Sequence, residues 1–210
     1  MSVHPAVQAL LQIMPADHGV DEQLNWPAVE ETLGVRLPSD YKSFMATYGG
    51  GSIGEDGMSI LLPLPVEYPQ WDPDSIGGYT PTLRYIWEDA GGVPGVSLGS
   101  DAVLAWGIHT NANDLGWLMS GPDPDTWPVV AFRRHGDPYW AMFDCGMVDF
   151  IRRLMTAEFD ECPLSDLSLW GRPSPFVHWR EQQRRWLQGL DPMTGEPDPI
   201  IQDFLSRPSP

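Results

Sequence analysis

Gly95-Val96-Ser97-Leu98-Gly99 has the G-x-S-x-G spacing of a nucleophile elbow, and acids and histidines follow it in hydrolase order. That elbow needs a strand before the serine and a helix after it, so that a sharp turn lifts the hydroxyl clear of a sheet. Here Gly91, Gly92 and Pro94 come before and a strand-like run comes after, which reads as a loop. The five histidines, His4, His18, His109, His135 and His178, fall on different elements, and no pair has metal-site spacing. His109 and Asp114 can be drawn around an ion across a turn, although a hydrogen-bonded turn histidine uses the same residues. Glu30–Glu31, Glu55–Asp56 and Glu88–Asp89 have the residue type for acid–base work. Neighbours in sequence do not converge on one substrate, and a solvated face explains them. Gly49 to Gly51 follows a helix and lacks the Gly-Lys-Ser/Thr ending of a phosphate loop. No catalytic residue, metal or cofactor is therefore expected.

The charge points elsewhere. The chain has 29 acidic and 12 basic residues, a net charge of −17, and Lys42 is its single lysine. Such a field repels phosphate, which argues against direct nucleic-acid binding and makes a basic protein the natural complement. Solubility alone is the competing explanation. Ten tryptophans are too many to bury completely, so some are expected half-exposed, where an interface uses them. Cys145 and Cys162 make no disulfide framework. No apolar run has membrane length and no basic segment leads an apolar one at the start, so a cytoplasmic monomer is expected.

The elements that would position a surface begin with residues 25–53, two short helices joined by an elbow. Asn25 or Trp26 caps the first, Pro27 suits its first turn, and Trp26, Val29 and Leu33 share a face. Gly34 is a left-handed stop and Pro38 blocks continuation. Ser39 and Asp40 open the second helix, whose stripe is Tyr41, Phe44, Met45 and Tyr48, and Gly49 to Gly51 end it in a turn. Trp26, Val29, Glu30, Leu33, Gly34, Leu37, Pro38, Asp40, Tyr41, Phe44, Tyr48, Gly49, Gly51 and Ile53 resemble the ordered signature of the SUKH superfamily, which includes fungal cell-wall assembly regulators and bacterial immunity proteins. The resemblance implies an α+β binding fold whose bacterial members typically neutralise a cognate toxin.

Residues 3–14 read as a helix stopped by Pro15, and Met58 to Leu62 as a short strand. A loop-rich stretch follows over 63–100, with helical turns only at Thr82 to Asp89. Its aromatics and carboxylates suit either a recognition surface or a lid folded on its own rings. Ala102 to His109 is almost continuously apolar, as a central strand is. After the turn TNAND, Leu115, Trp117 and Met119 put one face of the next strand inward. Trp127 to Phe132 and Tyr139 to Phe143 complete a meander. Gly116, Trp117, Leu118, Gly121, Asp123, Pro124, Trp127, Pro128, Val129, Val130 and Phe143 extend the resemblance. A helix capped by Asp144 follows, with Met147, Phe150, Ile151, Leu154 and Met155 on its buried face.

The expected architecture is α+β, a twisted antiparallel sheet with helices on one side. A domain over 1–160, its core at about 21–159, would precede a helical extension over 161–210. In that tail Ser174 and Pro175 start a helix carrying Phe176 and Trp179 on one face. From Gly171 onward five basic residues balance five acidic ones, so the tail is neutral and docks on an acidic body. With the resemblance, the expected function is non-catalytic immunity against a basic, nucleic-acid-acting toxin. A regulatory or scaffold module of the same fold is the alternative. Expected partner contacts are Glu55, Asp56, Trp71, Asp72, Asp74, Asp123, Asp125 and Trp127.

Overall fold

The computed structural model describes residues 3–55, 57–66 and 74–207. Its helices are α1 (Pro5–Leu10), α2 (Trp26–Leu33), α3 (Ser39–Thr47), α4 (Ile76–Asp89), α5 (Met147–Met155), α6 (Trp179–Leu187) and α7 (Pro199–Ser206). Its strands are β1 (Gly51–Ile53), β2 (Met58–Ile60), β3 (Val103–His109), β4 (Asn113–Leu118), β5 (Val129–Phe132), β6 (Trp140–Phe143) and β7 (Phe176–His178). They form one antiparallel sheet in the order β6-β5-β4-β3-β2-β1-β7. The fold is α+β, and β3 to β6 are the meander that the polar turns imply. Among the described residues no helix is long and apolar enough to cross a membrane.

Directly paired residues share a face of a sheet, so the register sorts the core. Leu104, Trp117, Val129 and Phe143 are aligned across four strands. On their side Tyr41 of α3 meets Trp117 at 5.3 Å between ring centroids, and Phe150 of α5 meets Phe143 at 5.2 Å. The opposite face is covered too. Trp87 of α4 packs on Trp140 at 4.9 Å, and Thr80 Oγ1 accepts the Ala105 N–H at 3.1 Å. Helices therefore lie on both faces, not on one as expected, and all six residues of β4 are buried. Asn113 and Asp114, expected in a turn, belong to that strand.

Helix α4 is the largest departure within the expected loop. It begins six residues before Thr82, with Ser75 Oγ accepting the Gly78 N–H at 3.2 Å, and it contains Pro81. Gly77, Gly78 and Pro81 all disfavour a helix, each glycine by about 1 kcal/mol. Ile76, Leu83 and Trp87 are buried against the sheet, and a large apolar side chain contributes roughly 1.5–3 kcal/mol when buried. Packing outweighs propensity here.

The α2–α3 elbow forms as the spacing predicts. Asn25 Oδ1 caps α2, and Gly34 closes it in the left-handed region at φ 70°. Glu30 pairs with Lys42 and accepts the Leu37 N–H at 2.9 Å, which holds the elbow shut. Tyr41 and Tyr48 are fully buried, and their hydroxyls donate to the carbonyls of Leu61 and Met14 at 2.8 and 2.6 Å. The caps differ from expectation. Asp125, from the turn before β5, accepts the Ser39 N–H at 2.6 Å. Asp40 reaches across to α5 and accepts the Val148 N–H at 3.0 Å, so Asp144 is not the cap of that helix. Burial holds the Asp40 carboxyl above the usual range despite the amides of Val148 and Tyr41.

The tail enters the sheet before it becomes helical. Phe176–His178 pairs with Gly51–Ile53, and α6 starts only at Trp179. Phe176 is buried against Phe44 and Tyr48 at 5.7 and 5.3 Å, an anchor that an extended chain supplies from the edge. The glycine turn after α3 is likewise a strand, because it has partners on both sides.

Candidate partner-binding surface

Three buried polar clusters lie outside the surface that the sequence singles out. In the first, Glu22 reaches from the linker before α2 to the start of α6. Its carboxylate accepts from His178 Nε2 at 2.7 Å, Trp179 Nε1 at 2.9 Å and Arg180 at 3.0 Å. Burial alone would raise this carboxyl, but those partners outweigh it and hold it at about 2. His178 Nδ1 accepts the Arg180 N–H at 3.1 Å and so caps α6, which leaves Nε2 to donate to Glu22. The cluster is a clamp between linker and tail.

The second cluster has the residue types of a charge relay. His109 Nε2 lies 3.0 Å from Ser168 Oγ, and Nδ1 lies 3.2 Å from Asp166. A relay needs Nδ1 to donate to the acid. Nδ1 also lies 3.3 Å from the Asn111 amide nitrogen, and the Ser168 hydroxyl donates to Asp166 at 2.5 Å, so the serine proton is committed to the acid and not to the imidazole. Asn113 Oδ1 accepts from Ser165 N–H and Oγ at 3.0 and 2.7 Å. The group pins residues 165–168 to the β3–β4 hairpin. In that hairpin His109 is paired with Asn113 and Ile108 with Asp114. His109 and Asp114 thus lie on opposite faces and share no ion.

The third is Asp114 with Tyr79, whose hydroxyl donates at 2.5 Å. Burial raises the Asp114 carboxyl, against the pull of Tyr79 and Arg134. No spacing in the sequence foretold this contact, since it joins α4 to β4 through the segment read as a loop. Ser97 of the elbow motif sits in an exposed irregular segment between α4 and β3. Cys145 and Cys162 are unpaired and half-buried, and burial raises the Cys145 thiol to about 11.

The expected contact residues are dispersed. Glu55 is exposed in the β1–β2 turn and lines a groove of about 550 Å³ with His18, Arg172 and Ser174. Asp123 and Asp125 are exposed between β4 and β5. Because β1–β2 turns beside His109 and β4–β5 turns beyond Leu118, these loops lie at opposite ends of the sheet. Asp74 is exposed just before α4. Asp125 serves the α3 terminus, and Trp127 is buried, with Nε1 donating to the Gly121 carbonyl at 2.7 Å. Trp127 therefore supports its loop and presents no face to a partner. Asp56, Trp71 and Asp72 lie outside the described residues.

The basic side chains are largely engaged within the chain. Arg152 pairs with Asp149 and Glu158, Arg180 with Glu22, and both Arg184 and Arg185 with Glu181. In comparison with known proteins, the model described as SMI1 / KNR4 family (SUKH-1) matches residues 23–146, more than half of the chain. No curated protein and no solved structure matches.

Proposed function

The chain belongs to the SMI1 / KNR4 family (SUKH-1), and from that premise we propose that it is an immunity protein, a non-catalytic binder that neutralises a cognate toxin of a polymorphic toxin system. The observation that carries this reading is the acid excess of a family member with 29 acidic and 12 basic residues. A toxin that acts on nucleic acid has a basic cleft, so a carboxylate-rich surface competes with phosphate for it and speeds the encounter. Glu55 and Asp123, at opposite ends of the sheet, are alternative exposed acids through which it would engage such a cleft, with exposed Asp74 a third. The internal saturation of the His109, Asp166 and Ser168 group supports binding over hydrolysis.

The test is genetic. Loss of this gene with a neighbouring toxin gene kept is expected to kill the host, and expression in trans to restore growth. A mild defect with several weak partners would instead favour a regulatory or scaffold module, which the same membership accommodates.

A further inference from the structure

Helix α7 meets the rest of the chain through polar groups and turns its apolar residues outward. The Asp198 N–H and the Gln202 side-chain amide both donate to the Gly189 carbonyl, at 3.0 and 3.2 Å. Asp198 Oδ1 caps the helix by accepting the Ile200 and Ile201 N–H groups. None of the eight residues is buried. Ile200 is 81% and Phe204 60% exposed, and Leu205 is exposed as well. Ile200 with Phe204, and Ile201 with Leu205, are four apart and lie on one side of the helix. Phe204 touches Trp186 of α6 at 5.6 Å between ring centroids, and exposed Leu187 continues the patch. A helix this short is marginal in water by itself, and burial of an apolar stripe is what ordinarily sustains one. Here the stripe faces solvent.

The charge around it is unlike that of the body. From Gly171 onward five basic residues balance five acidic ones, so the rest of the chain carries the whole −17. The tail's charges are also spent locally. Arg184 and Arg185 pair with Glu181, and Asp191 accepts the Met193 and Thr194 N–H groups. The apolar stripe thus sits in the part of the chain that is electrically balanced.

We propose that α7, with Leu187 beside it, is the two-fold interface between two copies of this chain, the α7 helices packing antiparallel. Two acidic bodies repel, and the neutral tail is where a second copy approaches at least electrostatic cost. A basic partner is drawn to the acidic body instead. Antiparallel pairing centred between Gln202 and Asp203 sets Ile200 beside Leu205 of the second copy, and Ile201 beside Phe204 of the second copy. The acidic Asp198 end of each helix then lies toward the Arg207 end of the other, and a self-complementary contact of this kind closes at two. Arg207 is free to serve there, because its pair with Asp203 is exposed and so contributes little. The dimer replaces the monomer expected from the sequence and does not depend on what the protein neutralises.

Sedimentation equilibrium of the full chain over a range of concentrations is the test. A monomer–dimer equilibrium is expected, and added salt should tighten it by screening the repulsion between the bodies. Ile200→Asp places an acid in the first turn, which favours the helix while removing its most exposed apolar residue. It should weaken dimerisation at least tenfold, about the free energy of one lost apolar contact, with the helical circular-dichroism signal kept. Phe204→Glu should do the same from the middle of the stripe. Tyr85→Glu, a change at an exposed aromatic on α4, should leave the equilibrium as it was. A wild type that stays monomeric at every concentration would overturn the proposal, as would a dimer that survives Ile200→Asp and Phe204→Glu or one that salt loosens. So would slowed hydrogen exchange in α7 that arises only when a different protein is added, which would give the face to that partner.

Discussion

Glu22→Gln is expected to destabilise the fold by about 3 kcal/mol near neutral pH, and to lose that penalty in acid. The carboxyl lies at about 2 in the folded protein, against an ordinary value of 4.5. A carboxylate held below its unfolded value adds stability at every pH above that value. The contribution drains away as pH falls from 4.5 through about 2, because the folded state must then take up a proton it resists. Glutamine keeps the shape and removes the charge that His178, Trp179 and Arg180 all face. Denaturant titrations across this range should show wild type and variant well separated above the window and converging below it. A constant offset, or none, would place the stabilisation outside the charge.

Gly51→Val is expected to eject β7 and cost at least about 3 kcal/mol, the upper range for overpacking a core. A Cβ at Gly51 would stand 2.3 Å from the Val177 carbonyl oxygen and 2.7 Å from the Phe176 ring. The obstruction includes main chain, which cannot swing aside as a side chain does. Phe176 would leave the Phe44–Tyr48 pair, and the tail should become open to proteolysis. Gly121→Ala is the matched control: a Cβ there meets nothing within 4 Å, so its effect should stay within about 0.5 kcal/mol. A lower denaturation midpoint and tail cleavage in Gly51→Val alone would bear this out; equal midpoints would show that β7 adapts.

Gly49 and Gly51 also show what could and could not be read beforehand. Their place after α3 was legible as a stop, but the obstacles around them were not: a Cβ at Gly49 would stand 2.5 Å from the Val20 carbonyl oxygen and 2.6 Å from the His178 ring. Periodicity located α2, α3, α5 and the β3–β6 meander because each buries one regular face or a continuous run. It missed α4, where Gly77, Gly78 and Pro81 argue locally for a loop and only the sheet beneath them argues for a helix. It misplaced the tail because Phe176 and Trp179 fit a helical stripe as well as a strand followed by a cap.

The surface was less legible than the fold. An exposed acid and a capping acid look alike in sequence, so Asp125 gave no sign that it serves the Ser39 amide. Trp127 was legible as an aromatic on a loop but not as a buried one, since its indole is satisfied by a carbonyl six residues back. Of the tryptophans, Trp106, Trp117 and Trp140 are core residues.

The most direct measurement titrates this protein against a toxin captured with it from the native host, following the toxin's activity on its own substrate. A molecule that works by covering its target inhibits in proportion, with activity vanishing at a one-to-one ratio and recovering when the complex is split. Protection at far below one equivalent, or a toxin left chemically altered after separation, would mean turnover and would contradict a purely covering role.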